Sequence, residues 1–408
     1  MLLLLALVGH LLLQAGPAWK KVHGSKGARD FSSYYYAAEV ALEGGNAYDT
    51  KALSAAARAD GTRKGVNPFF YPPPFVLAVA WVGAVSLQAA FELWFGLNEA
   101  LLFLCLGLGV WRFGVPLWAA GALLCTWSPI PDNAWMGQAN LLALAPALAG
   151  LAVARSRPVV GGVLVGTAAM FKMSPALFLL AWLLAGNRRA VLAAVATAVG
   201  LSVLSLPLVP FAVQRQFYLE ILPGFSTGDY HGLTVPISLQ ANHSLPDLWD
   251  RLLPDPGELL GKGAQRAAAL SLVALIGAWA WRVRHRPESP ASIGALTVLM
   301  VVAPVYTYEH HLVFLLVAVG IAAGEVARAA GAARREGHPL RAVGWWASLA
   351  AVWFFLAWPL PWLRAAQAEL PAGLSWLTRE SKTMAEAALF ALLWWRAGER
   401  EWSPADDR

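Results

Sequence analysis

The sequence predicts an all-α polytopic membrane protein: one integral domain over residues 1–408, with about twelve transmembrane helices and a first extracytoplasmic loop that carries short surface helices. Three observations predict it. Hydrophobic residues make up 58% of the 408 and charged ones only 14%, with a mean hydropathy of +0.52, too apolar a balance for a water-soluble domain of this length. Apolar runs near the ~20 residues needed to span an ~30 Å hydrocarbon core recur from Leu2 to Trp395. The 20 Trp suit belts at the two membrane–water interfaces.

The first run, Leu2–Ala18, reads as a retained helix. Ala15-Gly16-Pro17-Ala18 would also suit cleavage of a signal peptide, but no basic residue precedes the run. A polar stretch, 20–67, forms the first extracytoplasmic loop. Candidate helices then follow at Phe91–Trp111, Phe113–Trp127, Gln138–Ala154, Val159–Phe171, Ser174–Ala185, Ala190–Leu208, Ala267–Trp281, Ala291–Ala303, Leu312–Val326, Ala342–Trp358 and Met384–Trp395. Residues 211–266 are a long extracytoplasmic loop.

Arginine sets the orientation, because Lys and Arg in short loops stay cytoplasmic. Arg112, Arg155 with Arg157, Arg188 with Arg189, the group Arg282, Arg284 and Arg286, and the group Arg328, Arg334, Arg335 and Arg341 fall in alternate loops. The other loops are then extracytoplasmic. Residues 69–86 are apolar enough to cross, yet a crossing there would put every arginine loop outside, so this segment is expected to be re-entrant or to lie on the surface. Twelve crossings leave both termini cytoplasmic.

Composition also narrows the chemistry. Cys105 and Cys125 both lie inside apolar runs, which excludes a disulfide framework and a thiolate metal site. The pI of about 9.4 arises from short loops rather than one basic stripe, so nucleic acid is not an expected partner.

Polar clusters mark the places where chemistry could sit. Asp30 begins Asp30-Phe31-Ser32-Ser33-Tyr34-Tyr35-Tyr36, and Gly44-Gly45-Asn46-Ala47-Tyr48-Asp49 follows. Together they make a polar, aromatic shelf suited to a sugar. Asp30 would equally well cap a helix starting at Phe31, and the tyrosines would equally well anchor at the interface. Successive prolines in Asn67-Pro68-Phe69-Phe70-Tyr71-Pro72-Pro73-Pro74 pre-order a rigid entry to the next helix. Gln138 and Asn140 open a helix from the outer side, where amides and free backbone N–H groups could hold an oxygen-rich ligand or simply pack. Lys172 sits at a break between two apolar runs, where it must either pair with an anion or snorkel. Glu309-His310-His311 opens another helix. Adjacent histidines diverge by about 100° on a helix and lack i, i+4 ligand spacing, so hydrogen bonding to a phosphate or sugar is more natural for them than a metal.

In order and spacing these segments resemble glycosyltransferase family 87, membrane enzymes of the GT-C superfamily that include polyprenol-phosphate-mannose-dependent mannosyltransferases. The resemblance rests on Asp30 with Tyr35, the Gly45–Asp49 turn, Phe70-Tyr71-Pro72-Pro73, Gly137-Gln138-Ala139-Asn140, Lys172 with Pro175, and Glu309-His310-His311-Leu312-Val313. Tyr308 stands where the family pattern has Trp. The resemblance implies a GT-C-like bundle that transfers a hexose, most often mannose, from a polyprenyl phosphate to an acceptor hydroxyl with inversion, on the extracytoplasmic face of a bacterial inner (plasma) membrane. It implies Asp30 as general base, with Lys172, His310, His311, Tyr35, Tyr71, Gln138, Asn140 and Glu309 around the donor's phosphate and sugar. The partners implied are the lipid-linked donor, a glycolipid or glycan acceptor, and membrane lipids. No metal or other cofactor is expected, since no Asp-x-Asp motif is present to hold a nucleotide sugar through an ion.

Two other classes compete. A transporter or flippase for a lipid-linked saccharide would show similar helices, but also repeat symmetry and ionisable residues at mid-membrane depth, whereas here the polar residues gather at one interface. A hydrolase triad can be assembled from Ser244, His231 and Asp247, without the nucleophile elbow that would support it.

Overall fold

Helix is the only extended regular structure among the described residues of the computed structural model, which are 1–24, 29–61, 66–231, 236–239, 241–256, 259–359, 361, 365 and 368–399. All eleven apolar runs from Phe91 onward fall on helices. Local signals fix their starts. The Ser86 hydroxyl accepts from the Ala89 N–H and opens Leu87–Arg112; the Asn187 amide oxygen accepts from Ala190 and opens Arg188–Leu204. Ser289 caps Pro290–Val302, with proline in the first position, where its missing N–H costs nothing.

Length separates these helices from the expected dozen crossings. Five are long and apolar enough to span a membrane: Leu3–Gly24, Leu87–Arg112, Lys262–Val283, Glu309–Arg335 and Pro339–Ala357. A sixth results if the bent pair Pro129–Met136 and Asn140–Val153 is one span. The other apolar runs are cut short. Leu117–Thr126, Pro158–Phe171, Ser174–Leu184 and Pro290–Val302 have 10 to 17 residues, or roughly 15–25 Å at 1.5 Å per residue. Proline and glycine stand at or near the breaks between runs, as at Gly114 and Pro116, at Pro129, and at Pro175. The apolar helices are those of a multi-pass membrane protein, and the count of about twelve crossings is not reproduced by helix length.

Burial orders the bundle. Every residue of Pro290–Val302 is buried, and so is 89% of the span in Glu309–Arg335, which places both at the centre. Lys262–Val283 and Pro339–Ala357 bury only 17% and 22% of their spans and expose Leu270, Val273, Val343 and Phe354, as lipid-facing helices do. The first helix is tied to its neighbours by polar contacts: His10 bridges the Leu124 carbonyl at 3.0 Å and Glu99 at 2.7 Å, and Gln14 donates to the Cys125 carbonyl. Both cysteines are free thiols. Within residues 69–86 the helices are Pro74–Val79 and Ala80–Ala84, shorter than the ~20 residues a straight crossing needs. They pack against Arg29–Leu42, the tyrosine-rich helix of the first loop.

Candidate functional site

A broken helix is the scaffold of the site. Pro129–Met136 ends on Gly137 at φ +69°, the chain turns through 118°, and Asn140–Val153 begins. Gly137 is demanded twice. Its left-handed backbone strains any residue with a Cβ, and a Cβ there would stand 2.5 Å from the Cβ of Phe31 on the tyrosine-rich helix. Gly137→Ala is therefore expected to cost about 2 kcal/mol or more, and to reduce activity as well by pushing Asp30 out of place. Thermal unfolding in detergent alongside a transfer assay checks both.

The break carries Gln138 on one side and Asn140 on the other, and each grips a charged side chain. Gln138 Nε2 donates to Asp30 Oδ2 at 2.6 Å, while Asn67 Nδ2 donates to Asp30 Oδ1 at 2.8 Å. Asp30 lies in the first turn of Arg29–Leu42. Its carboxylate thus reaches across to two side chains from other segments, which the capping role alone does not describe. The proline that follows Asn67 disfavours helical backbone at that position.

On the other side of the break, Asn140 Oδ1 accepts from Lys172 Nζ at 2.5 Å. Lys172 ends Pro158–Phe171 in an extended conformation (φ −152°, ψ 125°), so its side chain leaves the helix line and enters the bundle. The ammonium stands 5.9 Å from the Tyr71 ring and 5.8 Å from the Phe314 ring, within cation–π range. It is near enough for its charge to act on Asp30, His310 and His311.

The histidine pair is fixed by the same amide, because Asn140 Nδ2 donates to the His310 carbonyl at 2.9 Å. The two imidazoles lie 4.3 Å apart. His311 Nδ1 accepts from the Tyr308 N–H at 2.9 Å, which assigns the proton of a neutral ring to Nε2 and makes that edge a donor. Tyr71 completes the set, its hydroxyl 2.6 Å from that of Tyr34. Burial pushes both phenols up, so both remain protonated.

The site therefore brings together one carboxylate, one ammonium, two imidazoles and a pair of phenols, drawn from four separate stretches of chain. A sequence model of glycosyltransferase family 87 matches residues 69–307. The chain belongs to glycosyltransferase family 87. It is thus a glycosyltransferase, an enzyme that works on a sugar donor and an acceptor. The match takes in Tyr71, Gln138, Asn140 and Lys172; Asp30 and the histidine pair lie outside it. Comparison with curated proteins and with solved structures returned no match.

Two of the residues expected in the site of this family 87 enzyme are engaged elsewhere. Tyr35 donates its hydroxyl to the Val85 carbonyl at 3.0 Å. Tyr34, at i+4 from Asp30, shares the helix face that meets Tyr71. Glu309 is buried with both oxygens occupied, by His243 Nε2 at 2.7 Å and by Lys382 Nζ at 2.5 Å. Lys382 also donates to the Leu356 carbonyl. Burial holds His243 below the usual imidazole range. It is neutral with its proton on Nε2, since a proton on Nδ1, which is buried and has no partner among the described residues, would be stranded. Glu309 thus joins the start of the central helix to His243 in the long loop before Lys262–Val283 and to the helix Ser381–Ala397.

The hydrolase triad does not assemble. Ser244 donates to the Val305 carbonyl, His231 contacts the Tyr48 carbonyl, and Asp247 pairs with Arg251. Sequence reasoning missed Lys382 and His243 as partners of Glu309, and Asn67 as a partner of Asp30. Asn67 carried a signal as a polar residue next to the proline-rich entry, and so did His243 within the polar run Gln240-Ala241-Asn242-His243-Ser244; Lys382 carried none.

Proposed function

We propose that the enzyme moves a hexose, mannose being the favoured one, from a polyprenyl-phosphate donor to an acceptor hydroxyl, with inversion. The reaction would take place at the extracytoplasmic face of a bacterial inner membrane, with both termini cytoplasmic. The observation that carries this reading is the pairing at the helix break: Gln138 steers a carboxylate and Asn140 steers an ammonium, two residues apart in the chain.

The chemistry follows from those two groups. The acceptor O–H attacks the anomeric carbon, the bond from that carbon to the phosphate oxygen breaks, and the polyprenyl phosphate leaves with one more negative charge than it had as a diester. A phosphate leaving group needs no proton but gains from a fixed cation and aimed N–H donors. Lys172 supplies the cation, and His311, with its proton on Nε2, supplies a donor. Asp30 takes the acceptor's proton as the new C–O bond forms. Asn67 and Gln138 hold the carboxylate in place, which removes the cost of orienting it during the reaction.

A direct displacement of this kind predicts product of opposite anomeric configuration, which NMR of the purified glycoside checks; retention would rule out a single displacement with Asp30 as base. Sidedness is a separate expectation. A single cysteine at Ser156 should resist a membrane-impermeant thiol reagent in intact cells and one at Ser226 should react, and the reverse pattern would invert the orientation.

A further inference from the structure

Behind Lys172 lies a file of three buried asparagines. Asn98, Asn133 and Asn140 are 2%, 0% and 0% exposed and come from three different helices. Asn98 Nδ2 donates to the Trp94 carbonyl at 3.0 Å, and Asn133 Nδ2 donates to Asn98 Oδ1 at 2.9 Å. Asn140 Nδ2 donates to Asn133 Oδ1 at 3.0 Å and to the His310 carbonyl at 2.9 Å, and Asn140 Oδ1 accepts from Lys172 at 2.5 Å.

The file has a direction. A main-chain carbonyl can only accept, so at Trp94 it forces the Asn98 amide to present its NH2 there and its oxygen to Asn133. The same choice is imposed at each step. The last atom in the file is then an oxygen aimed at the ammonium. If any amide turned over, two NH2 groups or two oxygens would face each other in a buried, low-dielectric place, where an unmatched polar atom is costly. Asn140 spends the second hydrogen of its NH2 on the His310 carbonyl, so the same file also fixes where the histidine pair begins. None of these contacts requires the upstream residues to touch a ligand.

We propose that Asn98 and Asn133 are positioning residues for the phosphate-binding cation: a polarised amide relay that starts at the Trp94 carbonyl and holds the Asn140 oxygen against Lys172. The proposal rests on Lys172 serving the donor phosphate, but the placement of Lys172 can be read without any transfer assay.

Two variants at Asn133 separate positioning from packing. Asn133→Leu is close in size and cannot make either bond. Asn133→Asp, protonated in its buried site, donates its O–H to Asn98 Oδ1 and accepts from Asn140, so the direction is kept. The first readout is the pH dependence of Lys172 acetylation by acetyl N-hydroxysuccinimide ester, followed by mass spectrometry of the Lys172 peptide in the full-length protein in detergent. Without a fixed acceptor the ammonium is less favoured, so Asn133→Leu should move the midpoint of reaction to lower pH while Asn133→Asp stays near wild type. An unchanged midpoint in Asn133→Leu overturns the relay, whatever the transferase assay gives.

The second readout is transfer from a polyprenyl-phosphate hexose. Asn133→Leu should lower kcat/KM by ~10- to 100-fold, the scale of a misplaced catalytic group, and Asn133→Asp should restore most of it. In a Lys172→Met background Asn133→Leu should cost little more, because the two changes remove one function. Fully multiplicative losses would make Asn133 a packing residue only. A shifted midpoint with no transfer by the wild type would leave the relay standing and remove the phosphate reading instead.

Discussion

Asp30→Asn should transfer sugar ~100- to 10,000-fold more slowly than the wild type, the range expected when a general base is lost. The substitution is conservative in every other respect. Asparagine keeps the size, and in the first turn of Arg29–Leu42 it gives up only the weak attraction between a carboxylate and the helix dipole. The two amides that now donate to Asp30, from Asn67 and Gln138, can accommodate the new NH2 by turning one amide over. Folding should therefore be unchanged, which elution profile and melting temperature verify. Asp49→Asn is the control from the same loop: Asp49 caps Thr50–Ala59 by accepting from Lys51 and Ala52, a job asparagine can do, so turnover should stay near normal. An Asp30→Asn enzyme that works at more than about a tenth of the wild-type rate would leave Asp30 as a structural acceptor. Glu309 would be a poor replacement, because both its oxygens are already committed to His243 and Lys382.

Lys172→Met should weaken use of the lipid donor by ~2–4 kcal/mol in transition-state terms, the usual cost of removing a preorganised charge. The methionine keeps much of the stem that passes Tyr71 and Phe314, so the change isolates the ammonium. Asn140 Oδ1 then loses the partner it had at 2.5 Å, which costs some stability but leaves its bonds to Asn133 and His310 in place. Steady-state kinetics with a polyprenyl-phosphate hexose measures the effect. A kcat/KM within about threefold of wild type would make Lys172 a snorkelling residue.

The apolar runs were legible because hydropathy is a local property, and each run from Phe91 onward lies on a helix. Helix length was less legible, since Gly114, Gly137 and the prolines at 116, 129 and 175 decide where a run stops being straight. The site was legible wherever a polar residue stood in an apolar stretch: Lys172, Gln138 and Asn140 announce themselves by cost, since burying them without partners is unfavourable. Asp30 and the histidines stood out as polar residues near helix starts, their roles coming from the family pattern, and all three lie within electrostatic reach of Lys172. Tyr35 came from the family pattern; its hydroxyl is bonded to the Val85 carbonyl, while Tyr34, one helical turn on from Asp30, meets Tyr71, a difference of helical phase that a run of adjacent tyrosines does not display. Glu309 was read as a ligand group because its partners, His243 and Lys382, lie 66 and 73 residues away, and no spacing rule reaches across that distance. The buried amides at 98 and 133 had the least signal, as each stands beside an acid, Glu99 and Asp132, and nothing in the sequence shows its partner.

Donor choice is the most direct test of the account. Purified full-length protein in detergent, given an acceptor glycan, is offered labelled mannosyl-phosphoryl-polyprenol in one reaction and labelled GDP-mannose with Mg2+ or Mn2+ in another, and label in the acceptor is counted. Lys172 and the histidine pair at the Asn140 break predict transfer from the lipid phosphate, with polyprenyl phosphate released in equal amount, no transfer from the nucleotide sugar, and no loss on adding EDTA. Label transferred from GDP-mannose with none from the lipid would contradict it.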